Sequence, residues 1–140
     1  MRLSGSRTRT IVSRLSVFVL AVAAAGALGT ATANASTGGG CLTKDGYSAC
    51  ISASGSSLEP DYYSLVDNGC IGIEVQVLDA NGGKLMWEHN AGSAGCTVGK
   101  HGPWAVNSGN SSVVNGGSYI TVVSNEDGSV AVSPSETLSY

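Results

Sequence analysis

The feature that most constrains how this short chain can fold is its set of four cysteines. They lie at Cys41, Cys50, Cys70 and Cys96 of a chain of 140 residues. An even number of cysteines in a short exported chain is typical of a disulfide framework. The sequence lacks a C-x-x-C motif and the ligand spacing of zinc sites, which disfavours a redox or metal role. We therefore predict two structural disulfides, with no metal site and no cofactor.

The amino-terminal segment has the pattern of a signal peptide. Its four arginines flank or precede an apolar run at 17–28, VFVLAVAAAGAL, which is too short to span a bilayer. Small residues follow, and the motif ANA at 33–35 is an A-x-A cleavage site. We predict a signal peptide at 1–35, a mature chain that begins at Ser36, and secretion to the extracellular space. Cleavage after Ala33 is an alternative.

Removal of this leader makes the protein acidic. All four arginines are lost, and the mature chain keeps three lysines and ten acidic side chains, a net charge of −7. A basic patch is therefore absent, which excludes nucleic acid and anionic membrane surfaces as expected partners. Roughly 105 residues remain, which suits one domain, predicted at 41–140.

The mature chain begins with STGGG at 36–40. This segment has almost no side chains to pack, so we predict a flexible Gly-rich arm. Gly38, Gly39 and Gly40 are candidate docking residues, because a partner could order the arm. The alternative is a spacer left after cleavage.

The chain after Cys41 has the pattern of an all-β protein. The clearest strand, at 71–78, places four apolar residues on one face: Ile71, Ile73, Val75 and Val77. Further strands are predicted at 47–53, 84–89, 104–107, 119–124 and 129–133. Turn dipeptides that tolerate positive φ recur at Asp45-Gly46, Asn68-Gly69, Asn81-Gly82, Asn115-Gly116 and Asp127-Gly128. The prediction is a small antiparallel β-sandwich or barrel, with 119–124 in the middle of a sheet.

The first two cysteines flank the Asp45-Gly46 turn symmetrically. If these two residues form the loop of a hairpin, Lys44 lies opposite Tyr47. Counting outward places Cys41 opposite Cys50 in a non-hydrogen-bonded pair, where Cα atoms are about 4.5 Å apart and a disulfide can form.

The other two cysteines lie at the open end of the next hairpin. Cys70 precedes the strand at 71–78, and Cys96 follows the return strand. We prefer the pairs Cys41–Cys50 and Cys70–Cys96. The rival pairing, Cys50–Cys70 with Cys41–Cys96, stays open because a predicted turn at Pro60-Asp61 lies midway between its first two members.

Residues suited to catalysis are sparse. The two histidines are His89, at the end of a predicted strand, and His101, in a predicted loop. No G-x-S-x-G elbow is present, and a nucleophile needs a base and an orienting group together. We predict surface histidines, no catalytic residues and no enzymatic activity.

Aromatic residues suggest binding instead. Tyr62 and Tyr63 follow the segment 58–61, LEPD, which we predict to be a surface turn. Trp104 follows a proline in another predicted loop. Large rings on the loops of a rigid scaffold are typical interface anchors. Leu58, Tyr62, Tyr63 and Trp104 are therefore candidate interface residues, with core packing as the alternative, whereas Trp87 is predicted to be core.

The segment YSLVDNGC, at 63–70, resembles the tendamistat-type α-amylase inhibitors of streptomycetes, which carry a similar Y-S-x-x-D-N-G-C segment. The resemblance implies a small secreted two-disulfide β-sandwich. That family places a Trp-Arg-Tyr triplet at a hairpin tip that blocks the amylase cleft. The matching positions here are Asp61, Tyr62 and Tyr63, so this sequence retains the tyrosine alone.

The layout of the whole chain also resembles the small adaptor subunits of streptomycete umbrella toxin particles. The shared features are an export signal, a short Gly-rich arm and a stapled β-domain without a catalytic set. In those particles such a subunit links a lectin-bearing component to a large toxin-bearing stalk. The resemblance implies a partner that is itself a secreted protein.

These observations predict a secreted, non-catalytic protein-binding module, an adaptor or subunit of an extracellular complex. It would dock through the arm, through the tyrosine loop, or by adding a strand at a sheet edge. The alternative is an inhibitor of a secreted hydrolase, an α-amylase or a protease, that plugs a cleft with the 58–63 loop. A small hydrolase using His89 or His101 is the least favoured possibility.

Overall fold

A computed structural model of the protein describes residues 37–66 and 70–140. The predicted signal peptide at 1–35, Ser36 and the predicted Asn68-Gly69 turn lie outside the described residues. In the described part, no helix is both long enough and apolar enough to cross a membrane.

The described residues form two antiparallel sheets. Their ten strands are β1 (Thr37–Gly38), β2 (Gly40–Lys44), β3 (Tyr47–Ser54), β4 (Ser57–Ser64), β5 (Ile73–Asp79), β6 (Leu85–Gly92), β7 (Gly99–His101), β8 (Ser118–Asn125), β9 (Val130–Val132) and β10 (Glu136–Thr137). A single 3₁₀ turn at Ser93–Cys96 follows β6. One sheet has the order β1-β10-β8-β5-β6 with β9 also beside β8, and the other has the order β2-β3-β4-β7. The predicted β-sandwich is thus confirmed, and it is open, not a closed barrel.

The β2–β3 hairpin forms in the register expected from its turn. Asp45 and Gly46 both have positive φ, 52° and 85°, as a type I′ turn requires. Lys44 pairs with Tyr47 and Cys41 with Cys50. The Cα atoms of the two cysteines lie 4.1 Å apart, and a disulfide joins them. The conformation of the Asp45-Gly46 turn therefore fixes the strand register that places Cys41 opposite Cys50.

The second disulfide joins Cys70 to Cys96. Cys70 precedes β5, and Cys96 ends the 3₁₀ turn, so the bond closes the open end of the β5–β6 hairpin. Both cysteines are half-buried and pack against the core. The preferred pairing is confirmed, and the rival pairing does not occur.

The core lies between the facing surfaces of the two sheets. Residues alternate along β8, where Tyr119, Thr121, Val123 and Asn125 are buried and their neighbours half-buried. β8 lies between β5 on one side and β9 and β10 on the other, which confirms the prediction for 119–124. Three tyrosines, Tyr47, Tyr62 and Tyr119, are among the largest fully buried side chains.

The predicted turn at Pro60-Asp61 is wrong. These residues lie inside β4, and the hairpin turn is at Gly55-Ser56 instead. Pro60 faces Ile51. Counting outward from the two-residue loop makes this a non-hydrogen-bonded pair, where the β3–β4 ladder needs no N–H from a proline. The positions that match the inhibitory triplet, 61–63, consequently lie within a strand and not at a hairpin tip.

The prediction of a flexible arm at 36–40 is wrong for the described residues 37–40. Thr37–Gly38 forms β1 and pairs with β10, and Gly39 N donates to Ser135 O at 2.7 Å. Gly38, Gly39 and Gly40 have φ of 103°, 75° and 105°, which side chains with a Cβ rarely adopt. The glycines form the corner at which the chain passes from one sheet to the other, so the ordered domain begins before Cys41.

Two further strand predictions need correction. β5 begins at Ile73, and Ile71 lies outside it with 68% of its surface exposed. The strand predicted at 104–107 is reduced to one bridge between Leu58 and Val106. β7, at Gly99–His101, was not predicted because its glycine and lysine give no alternating pattern.

Candidate binding surface

Five aromatic side chains meet where the edges of the two sheets face each other. We call this group the aromatic ledge, and it consists of Tyr62, Trp87, His89, His101 and Trp104. It contains both tryptophans and both histidines of the chain. β6 is the edge strand of one sheet and β7 that of the other, so the ledge covers the open side of the sandwich.

Trp87 and His89 reach the ledge from β6. They lie two residues apart in a strand and therefore share a face, the one that bears Val75 and Val77 of the neighbouring β5. Their rings are nearly parallel, with centroids 6.0 Å apart. Trp87 is half-buried and packs against the core, as predicted.

Trp104 lies across the middle of the ledge. Its ring centroid is 4.7 Å from that of His89 and 6.2 Å from that of Trp87. Trp104 N donates to Pro60 O at 3.1 Å, which fixes the segment beside β4. A Cβ at Gly102 would lie 2.8 Å from the indole, so the ring packs directly over that glycine.

Tyr62 and His101 form the base of the ledge. They pair across β4 and β7, and their rings stack with centroids 4.7 Å apart. The Tyr62 hydroxyl donates to Gly95 O at 2.9 Å. Burial, with a smaller contribution from Tyr47, raises the pKa of Tyr62 to about 12, so its hydroxyl stays protonated as a donor.

The ring nitrogens of the ledge differ in their hydrogen bonding. His101 Nε2 lies 2.7 Å from Thr97 O. Within residues 37–66 and 70–140, the ring nitrogens of Trp87, His89 and Trp104 have no hydrogen-bond partner. These three rings are half-exposed. Each combines apolar ring faces with at least one polar ring nitrogen.

A charged pair lies on the opposite face of β4 and β7. Lys100 Nζ is 2.7 Å from Asp61 Oδ2, and it also lies 5.7 Å from the centroid of the Tyr63 ring. The hydrogen bond to Asp61 is the main cause that raises the pKa of Lys100. Tyr63 is consequently a separate surface feature, 36% exposed and outside the ledge.

The predicted interface residues differ in their exposure to solvent. Leu58 and Tyr62 are fully buried, so their assignment to an exposed loop is wrong. Both belong to the inward-facing row of β4, together with Pro60 and Ser64. Trp104 is half-exposed at the centre of the ledge, and Tyr63 is exposed elsewhere.

Sequence reasoning missed the contribution of three ledge residues. The sequence predicts a core position for Trp87 and surface positions for His89 and His101. The spacing Trp87-x-His89 within a strand is a signal that could have placed two rings on one face. Nothing local predicts the meeting of β6 with the segment at 101–104, because β6 and β7 belong to different sheets.

No family model, no curated protein and no solved structure matches the chain. Among the residues that the structure describes, no group of three or more His, Cys, Asp or Glu side chains could hold a metal ion. The fold and the site together define a two-disulfide β-sandwich with an aromatic ledge along one open side.

Proposed function

We propose that this protein is a secreted, non-catalytic binding module, an adaptor or subunit of an extracellular complex, and that the aromatic ledge contacts its protein partner. The observation that carries the proposal is the set of half-exposed rings Trp87, His89 and Trp104, whose ring nitrogens have no partner among the described residues.

The chemistry of the ledge suits a protein interface. Tryptophan is enriched among the residues that dominate binding energy, because it buries a large area and offers one N–H donor. The ledge lies on a framework held by two disulfides, so little conformational freedom is lost when a partner binds.

Secretion is supported by the signal-like leader and by both disulfides, which persist in oxidising compartments. A second contact is available along β6, the edge strand beside the ledge, apart from Met86, whose carbonyl oxygen accepts from Ser112 N at 3.5 Å. Edge strands leave backbone N–H and C=O groups open, and a partner strand can pair with them.

The cleft-plugging alternative has less support. It required an exposed loop at 58–63, and these residues lie in β4 with Leu58 and Tyr62 buried.

The test is capture of a partner from the culture fluid of the producing organism. The purified protein is immobilised, and bound proteins are identified by mass spectrometry and then titrated. We expect Trp104→Ala to weaken binding by at least about thirtyfold, which corresponds to the roughly 2 kcal/mol of a hot-spot residue. Tyr63→Ala is the matched control, since it removes an exposed ring outside the ledge, and we expect it to leave the affinity unchanged.

Three outcomes would contradict the proposal. The protein could bind nothing in the fluid, Trp104→Ala could bind as tightly as the natural protein, or the captured component could survive proteolysis of the fluid. The last result would identify a ligand that is not a protein.

A further inference from the structure

A buried acidic side chain lies beside the corner at which the chain passes from one sheet to the other. Glu136, in β10, pairs with Gly38 of β1 on one side and with Tyr119 of β8 on the other. Only 4% of its surface is exposed. Glutamate is almost never fully buried unless it is paired with a cation. The surroundings of this carboxyl group therefore determine what it can do.

The Glu136 carboxyl group packs directly against the backbone of the corner. A Cβ at Gly39 would collide with Glu136 Oε2 and would lie 2.6 Å from Ile51 O. Both oxygen atoms thus border the same glycine. An ionised carboxylate only accepts hydrogen bonds and gains nothing from a neighbouring carbonyl oxygen, whereas a protonated carboxyl group has an O–H to donate. The position suits the neutral form of Glu136.

No described group that faces Glu136 carries a positive charge. The elements packed against β10 are β1, β8 and β3. β1 has no titratable side chain, and the one that β8 places opposite Glu136 is Tyr119, whose hydroxyl accepts from Val114 N at 2.8 Å. The titratable side chain of β3 is Tyr47, which belongs to the separate core cluster around Val75.

The Glu136 carboxyl group also lacks polar partners. Among the described residues, it makes no ion pair and no side-chain hydrogen bond. Burial without such partners raises the pKa of Glu136 above its usual 4.5. The predicted amino-terminal ammonium group at Ser36 lies outside the described residues, and the mature chain used in the test below carries it.

We propose that the ionisation of Glu136 controls whether the amino-terminal strand stays bound to the domain: the neutral side chain keeps β1 paired with β10, and the ionised side chain releases β1. β1 has two residues, and one more hydrogen bond, from Gly39 N to Ser135 O at 2.7 Å, holds the corner. Because β1 and the corner cover the carboxyl group, their release exposes the charge to water. This device goes beyond the proposed binding function and does not depend on it.

The size of the effect follows from proton linkage. In the open state, with β1 released, the Glu136 carboxyl group is in water and regains its usual pKa of 4.5, whereas its pKa in the closed state is raised. Below pH 4.5 both states carry the proton, so opening does not depend on pH. Between the two pKa values opening releases a proton, and the open population rises by up to about tenfold per pH unit. Above the raised value the rise ends.

The test is amide hydrogen exchange, followed by NMR on the mature protein that begins at Ser36. Gly39 N is the reporter because it donates across the corner. Protection factors, which remove the intrinsic pH dependence of exchange, are measured from pH 4 to pH 7. We expect the protection of Gly39 to fall by up to about tenfold per pH unit above pH 4.5.

A second amide serves as the internal control. Asn110 N donates to Asn107 O at 3.1 Å, in a loop that has no acidic side chain. We expect its protection factor to stay constant over the same pH range. An equal fall at Asn110 and Gly39 would mean that the whole domain loosens, and it would count against local release of β1.

Variants assign the pH response to one carboxyl group. Glu136→Gln keeps the size of the side chain and removes its ionisation, so the protection of Gly39 should become independent of pH. Glu126→Gln is the matched control, an exposed acid just after β8, and it should leave the response of Gly39 unchanged. If Glu136→Gln does not fold, the ¹³C signal of the Glu136 carboxyl group in the unaltered protein gives the answer, since it should titrate above pH 4.5.

Each measurement can overturn the proposal. The protection of Gly39 could stay constant with pH, Glu136→Gln could keep the pH response, or the Glu136 carboxyl signal could titrate at its usual value. Any of these results would show that β1 is not controlled by the charge of Glu136. The proposed binding function would be unaffected, because capture of a partner depends on Trp104 and not on β1.

Discussion

The hydroxyl of Tyr62, on β4, donates to the carbonyl oxygen of Gly95, 33 residues further along the chain, at 2.9 Å. Gly95 makes this approach possible, because a Cβ there would collide with the hydroxyl and lie 2.8 Å from Ala91 Cβ. The bond ties the four-stranded sheet to the 3₁₀ turn that contains Cys96. It therefore joins the base of the aromatic ledge to one of the disulfides.

This contact predicts coupled effects on stability. Tyr62→Phe should lower the free energy of unfolding by about 1–2 kcal/mol, because it leaves a buried carbonyl oxygen without a donor. Gly95→Ala should cost more, about 2–3 kcal/mol, through overpacking. The double variant should cost less than the sum, since Tyr62→Phe removes the hydroxyl oxygen that the new methyl group would meet. Urea denaturation of the four proteins measures the coupling, and strict additivity would contradict the contact.

The two disulfides should contribute unequally to stability. Their sequence separations are 9 and 26 residues. The chain-entropy relation gives about 2.6 kcal/mol for the shorter loop and about 3.5 kcal/mol for the longer one. We expect the Cys70→Ser/Cys96→Ser variant to unfold at lower denaturant than Cys41→Ser/Cys50→Ser. The opposite order would mean that the edge strand β2 stabilises the fold more than the β5–β6 hairpin.

The ion pair between Asp61 and Lys100 predicts a second non-additive result. The Asp61 side chain is only 11% exposed, whereas that of Lys100 is 46% exposed. Lys100→Met leaves a nearly buried carboxylate without its cation, so it should destabilise the protein more than Asp61→Asn/Lys100→Met does. We expect the two substitutions to be non-additive, with the coupling reduced by solvent around the lysine. A coupling near zero in roughly 0.1 M salt would exclude a stabilising role for the pair.

Glu136 and Asp127 should change the free energy of unfolding with pH in opposite directions. Burial raises the pKa of Glu136 above its usual 4.5, so its charged form destabilises the fold as pH rises through that raised value. Glu136→Gln should therefore stabilise the protein more at pH 7 than at pH 4.

Asp127 is the contrasting case. The backbone N–H of Ser129 donates to its Oδ1 at 2.7 Å and lowers the pKa of Asp127 below its usual 3.8. Its contribution is present above pH 3.8 and is lost as pH falls through the lowered value. Asp127→Asn should be destabilising at pH 7 and neutral at pH 2. Thermal unfolding of each variant from pH 2 to pH 7 distinguishes the two trends, and parallel curves would contradict both assignments.

Local patterns predicted much of the framework. The Asp45-Gly46 turn determined the pairing of Cys41 with Cys50, because a two-residue loop fixes the register outward from itself. Alternation correctly placed Ile73, Val75 and Val77 on one buried face. Buried residues alternate in the same way in β4, at Leu58, Pro60, Tyr62 and Ser64, but the Pro60-Asp61 dipeptide predicts a turn there.

Only the tertiary structure decided which residues form the candidate site. The end of β6, the 3₁₀ turn and β7 separate His89 from Trp104, and their rings meet because β6 and β7 are edge strands on the same open side of the sandwich. The sequence by itself determined an antiparallel, doubly cross-linked β-domain, since turn geometry and alternation act over a few residues. Sheet order and the meeting of sheet edges depend on long-range packing, which no short segment encodes, and they place the aromatic ledge.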